Sequence, residues 1–157
     1  MKFLVSKDLE HSSLLANLMG GVIFTLFFYL LLDIVVHAYV VGLDAATVAT
    51  TLYGNSKEFI EPILIDTLLL QVHIDLFMSL LTIMIVAAIY IRLYNTSMIT
   101  RWLVHLLFIL GLLSPILLMV AYFSTIGFVY VWLVSFVMGH FLGMMMSLLI
   151  LKKLFLK

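Results

Sequence analysis

Four apolar runs, each at or beyond the roughly 20 residues needed to cross a bilayer, leave this chain few ways to fold. In hydrocarbon every backbone N–H and C=O must be paired inside the protein, so lone apolar runs of this length become helices. The pattern predicts helices over about 14–43, 62–94, 100–124 and 129–151. The expectation is an all-α integral membrane protein, with one four-helix bundle over residues 1–157. Composition agrees: 66% of the residues are hydrophobic and only 10% are charged, whereas a soluble domain is nearer half apolar.

Local signals punctuate the runs. Ser12 or Ser13 suits the start of the first helix. Asp44 precedes a stretch, Ala45 to Tyr53, that reads as a short helix stopped by Gly54-Asn55. Pro62 suits the first turn of the second long helix. Ser114-Pro115 should kink the third, and Gly127 marks the turn before the fourth.

The basic residues set the expected orientation. Lys2, Lys7, Arg92, Arg101, Lys152, Lys153 and Lys157 fall on one side, and Lys57 on the other. Both termini are therefore expected in the cytoplasm, with the 44–60 loop outside, in a multi-pass protein of a bacterial inner (plasma) membrane. The first run is long and three more follow, so it reads as a retained span rather than a cleaved leader. The triplet Asn95-Thr96-Ser97 matches a glycosylation signal but falls on the cytoplasmic side. Trp102, His105 beside Arg101, and Tyr53, Tyr90, Tyr94, Tyr122 and Tyr130 suit the membrane interface.

Several function classes are excluded. There is no cysteine, so disulfides, thiolate metal sites and thiol redox chemistry are absent. The formal net charge is zero, which gives nucleic acid no footprint. Neither a phosphate loop nor a dinucleotide fingerprint occurs. No nucleophile, base and acid stand together, so no catalytic residue is named. The ten methionines read as flexible core filler before soft copper ligands.

Ionisable groups inside the apolar runs carry the functional signal, because hydrocarbon tolerates them only when paired or wet. Asp33 and His37 lie one turn apart on the first helix, on a face shared with Tyr29. On the second, Asp66 and His73 share one face, while Gln71, Asp75, Ser79 and Thr82 form another. Asp75 points about 200° away from His73, at 100° per residue. A helix with two polar faces is expected inside the bundle. Short loops make consecutive helices neighbours, so Asp33, His37, Asp66, His73 and Asp75 can gather in the outer half. His140 lies nearer the middle of the fourth helix.

The first reading is a redox-active transition-metal site, in electron transfer or metal handling. Histidine with carboxylate suits copper, iron, zinc or manganese. Asp33, His37, His73 and Asp75 are the expected ligands, with Asp66 and His140 in reserve. Asp33-x-x-x-His37 followed by a further intramembrane histidine, His73, resembles a copper site in the membrane subunits of particulate methane and ammonia monooxygenases. That resemblance implies copper; here the further histidine lies on the next helix rather than close behind the pair.

Three other readings stand beside it. One is a cytochrome with haem b, bound by His73 with His37 or His73 with His140. Another is a proton or ion pathway lined by Gln71, Asp75, Ser79 and Thr82. The last is an accessory subunit of a larger membrane complex, whose polar groups simply join helices. Ser135, Gly139, Gly143 and Ser147 recur every four residues and let a helix or a flat cofactor come close. The expected partners are the lipid bilayer and either a second copy of the chain or another membrane subunit.

Overall fold

The computed structural model describes residues 13–94 and 97–156. Five helices follow one another: α1 (Ser13–Val40), α2 (Ala45–Tyr53), α3 (Ile65–Tyr94), α4 (Met98–Phe123) and α5 (Ile126–Phe155). Among the described residues there is no strand, and one isolated bridge pairs Asn55 with Ile60. Helices α1, α3, α4 and α5 are each long and apolar enough to cross a membrane. The chain is a multi-pass membrane protein, and the many large apolar side chains on its surface face lipid. His11, Ser12, Asn95, Thr96 and Lys157 lie outside the described residues, as do Lys2 and Lys7.

The helix ends differ from the expected bounds for local reasons. α1 stops at Val40 rather than near 43, because Gly42 turns at φ 103° and its N–H closes on the His37 carbonyl at 2.8 Å. That left-handed backbone is open to glycine at no steric cost. α2 matches its expected span. The Asp44 carboxylate accepts from the N–H groups of Ala46 and Thr47, both at 3.0 Å. The Thr47 hydroxyl, foremost, holds that carboxyl below the usual aspartate range.

α3 begins three residues after Pro62. The Ile63 N–H donates instead to the Thr51 carbonyl at 2.8 Å, so this segment is committed to α2. Ser97 caps α4 through the Thr100 N–H at 3.1 Å. Helix α4 then runs unbroken through Pro115. α5 overruns both expected bounds and takes in Gly127, with Lys152 and Lys153 in the last turn, where cations suit the negative end of the helix dipole.

α5 is the central strut, packed on both α1 and α4, while α4 also holds α3. α1 scarcely touches α3, so the ring is loosest at that seam. Both faces of a membrane helix meet apolar surroundings, so close packing rather than water exclusion must hold the bundle. Gly111 shows the fit: a β-carbon there would clash with Ile83 Cδ1.

Two apolar clusters fill the interior. One lies toward the α2 end and centres on Val48, Leu52, Leu118, Trp132 and Phe136. The other lies toward the chain termini and centres on Ile23, Val86, Leu107, Met146 and Ile150. Tyr53, expected at the interface, bonds the Ala121 carbonyl at 2.7 Å and ties α2 to α4. Tyr90, also expected there, is instead core. The polar site sits between the two clusters.

Candidate functional site

The site is built by three helices. α1 supplies Asp33 and His37, α3 supplies Gln71 and Asp75, and α5 supplies His140. His37 Nε2 lies 3.0 Å from Asp75 Oδ2, and His140 Nε2 lies 2.8 Å from Asp33 Oδ2. Gln71 Nε2 donates to the other Asp75 oxygen at 2.8 Å. The His37 and Asp75 side chains are 2% and 9% exposed, those of His140 and Asp33 12% and 15%. All four are therefore substantially withdrawn from the surroundings of the bundle.

Each histidine is steered by its own helix. His37 Nδ1 donates to the Asp33 carbonyl at 2.9 Å, and His140 Nδ1 to the Phe136 carbonyl at 2.8 Å. A carbonyl oxygen only accepts, so Nδ1 carries the hydrogen in both rings. Each Nε2 then meets a carboxylate oxygen at hydrogen-bond distance. Two lone pairs cannot meet so closely unaided, so each contact holds a shared proton or gives way to a cation. The same anchoring of one ring nitrogen on a carbonyl orients metal-binding histidines.

Phe136 fixes the spacing between the two rings. Its ring centre lies 4.5 Å from that of His37 and 4.1 Å from that of His140. Tyr29 stands one turn before Asp33 on α1. Below the pairs lies a cavity of about 40 Å³, bounded by Asp33, His37, Asp75, Thr82, Ser114 and His140 among others. At 10–15 Å³ each, that is room for about three waters.

The structure brings together Asp33, His37 and Asp75 from the expected ligand set, and His140 from the reserve. It does not bring in His73, which is exposed on the outer side of α3. Asp66, exposed at the start of the same helix, is also away from the cluster. Of the two polar faces of α3 expected inside the bundle, the Gln71–Asp75–Ser79–Thr82 face turns inward and the Asp66–His73 face turns out. With His73 outside, neither expected haem pairing spans the site. His105 is exposed beside Arg101 and Trp102.

Ser135, Gly139, Gly143 and Ser147 face the interior rather than a second molecule. Ser135 Oγ donates to the Leu110 carbonyl at 3.1 Å, and Ser147 Oγ to the Gly143 carbonyl at 2.8 Å. A β-carbon on Gly139 would meet Leu110 at 3.5 Å, and one on Gly143 would meet Leu30 at 3.0 Å. The stripe is where α1 and α4 approach α5.

Sequence reasoning missed Phe136 and the pairing of Asp33 with His140. A signal was present: Phe136, His140 and Gly143 fall at helical spacing beside the small-residue stripe, which marks the buried face of α5.

One ligand atom each from Asp33, His37 and Asp75 lies within 4.8 Å of the other two, a spread that one metal ion can bridge. His140 lies outside that group and reaches it through its contact with Asp33 Oδ2 at 2.8 Å. One imidazole with two carboxylates is a borderline to hard donor set suited to zinc, iron, manganese or Cu(II). Compared with protein-family models, curated proteins and solved structures, the chain matches none.

Proposed function

We propose that the protein binds one divalent transition-metal ion between α1, α3 and α5, and serves in electron transfer or metal handling within the membrane. The observation that carries this reading is the convergence of His37, Asp33 and Asp75 within 4.8 Å from two helices that otherwise scarcely touch. His37 Nε2 and one oxygen of each carboxylate would be the ligands, with His140 completing or orienting the set. Two carboxylates balance the charge of a divalent ion, which limits the cost of burying it in hydrocarbon. Gln71 orients Asp75, and the two backbone carbonyls orient the imidazoles.

The wider setting belongs to the same proposal. The basic end of the bundle faces the cytoplasm of a bacterial inner membrane, so the site lies toward the outer side. A second copy or another membrane subunit would exchange electrons or metal with it.

The test is metal content. Protein purified in mild detergent is analysed for copper, iron, zinc and manganese beside His37→Ala and Asp75→Asn. Near-stoichiometric metal in the parent and its loss in both variants is the expected result. Unchanged content in both variants would sink the reading. A second reading, a proton-conducting site, is favoured by the direct contacts of 3.0 and 2.8 Å between ring nitrogen and carboxylate. It predicts proton flux in vesicles that Asp75→Asn abolishes with metal content unchanged.

A further inference from the structure

Thr82 is 3% exposed, and its Oγ1 is a buried side-chain oxygen or nitrogen without a hydrogen-bond partner. Three helical hydroxyls elsewhere settle on the carbonyl four residues back. Thr25 does so on Gly21, Thr51 on Thr47 and Ser147 on Gly143. Thr82 has that option and leaves it unused. It lies on the wall of the cavity below the His/Asp pairs, two turns along α3 from Asp75, with Ser79 between them.

Pro115 has no N–H, so it cannot satisfy the carbonyl of Gly111 one turn earlier on α4. Gly111, Ser114 and Pro115 all line the same cavity. Thr82 on α3 borders a space of about 40 Å³ that Asp33, His37, Asp75 and His140 also line. The molecule that fills it must suit a hydroxyl that both donates and accepts, and must fit a space with room for about three waters. Water meets all of these conditions.

We infer that this cavity is a hydrated chamber inside the hydrocarbon span, anchored by Thr82, and that its water supplies an exchangeable ligand to the ion held by Asp33, His37 and Asp75. The chamber stands on its own geometry; only the ligand role rests on the metal reading above. That role makes the centre an open one, able to exchange a small ligand, rather than a closed structural site. It also separates the two sides of the ion: protein donors toward the α2 end, solvent toward the middle of the bundle.

Radiolytic hydroxyl labelling of the metal-free protein in ¹⁸O-water tests the chamber, because buried side chains are labelled only beside bound water. Labelling at Thr82, Ile83 and Leu107 is expected, with a several-fold fall in Thr82→Val and retention in Thr82→Ser. An unlabelled wild type would overturn the inference, and so would equal labelling in Thr82→Val. Deuteron modulation in the electron spin echo of Cu(II)-loaded protein in D₂O then tests the ligand role. A bound water's deuterons are expected, weakened in Thr82→Val; their absence from a loaded site removes the ligand role. Failure to load copper, or any other ion, counts against the metal reading and the ligand role together, while the labelling result stands by itself.

Discussion

Two polar faces run side by side along α3, and they have opposite fates. Gln71, Asp75, Ser79 and Thr82 turn toward α1 and α4, where each finds a partner or a cavity. Asp66 and His73 turn outward, where both are exposed. The residue types are similar, so chemistry alone does not distinguish the faces. What differs is the partner helix. The inward face meets Asp33 and His37 of α1 at the seam where α1 and α3 otherwise scarcely touch. A polar group in a membrane helix is a site candidate when a second helix brings a complementary group to its level.

The comparison is broken most severely at the His37–Asp75 contact. His37→Ala leaves Asp75 buried with Gln71 alone, and removing one partner of a buried pair costs roughly 3–5 kcal/mol. The expected outcome is a thermal midpoint in detergent lower than that of any outward-face variant, together with loss of the ion. The double variant His37→Phe, Asp75→Leu should recover most of the stability while still binding no ion, since apolar replacement of both partners is often neutral. If it is as unstable as His37→Ala, the loss comes from packing around Phe136 and Trp132 rather than from an orphaned charge. In the parent protein, metal retention should fall as the solution is acidified, because protons compete for imidazole and carboxylate.

How much of this was legible in the sequence follows from the same two faces. Helix number, the short capped helix after Asp44 and the inner polar face of α3 were readable, because each rests on a local period or a local cap. Asp33, His37 and Asp75 were readable as candidates because ionisable groups in apolar runs are rare. The exclusion of His73 was not. Both faces of α3 look alike on a helical wheel, and only the rotation of α3 against its neighbours chooses between them. The entry of His140 was hidden for a related reason. Its partner lies 107 residues away in the chain, and the match depends on how far each helix projects beyond the membrane. The helix ends at Pro62 and Gly127 were misplaced where a tertiary bond, or the absence of a break, overrode a local signal.

A smaller effect probes what orients the inner face. Gln71→Ala removes one hydrogen bond to Asp75 and leaves the His37 contact in place. Interhelical and side-chain hydrogen bonds within membranes are worth about 1 kcal/mol. A modest fall in thermal midpoint is expected, with metal content kept but affinity reduced several-fold in a chelator competition. No change in affinity would mean that Asp75 is held by His37 alone.

The smallest effect is expected on the outer face, and it gives the comparison its sharpest edge. His73→Ala and Asp66→Asn alter exposed side chains with no partner role in the site. Surface substitutions away from such features stay within about 0.5 kcal/mol. Both variants should keep the parent's thermal midpoint and its full metal content. The measurement is the same elemental analysis applied to His37→Ala, made on samples prepared side by side. Loss of the ion in His73→Ala would mean that α3 presents this face inward in the membrane. The helix would then have to turn by roughly half a revolution, Asp75 would leave His37, and the inner face described above would belong to lipid.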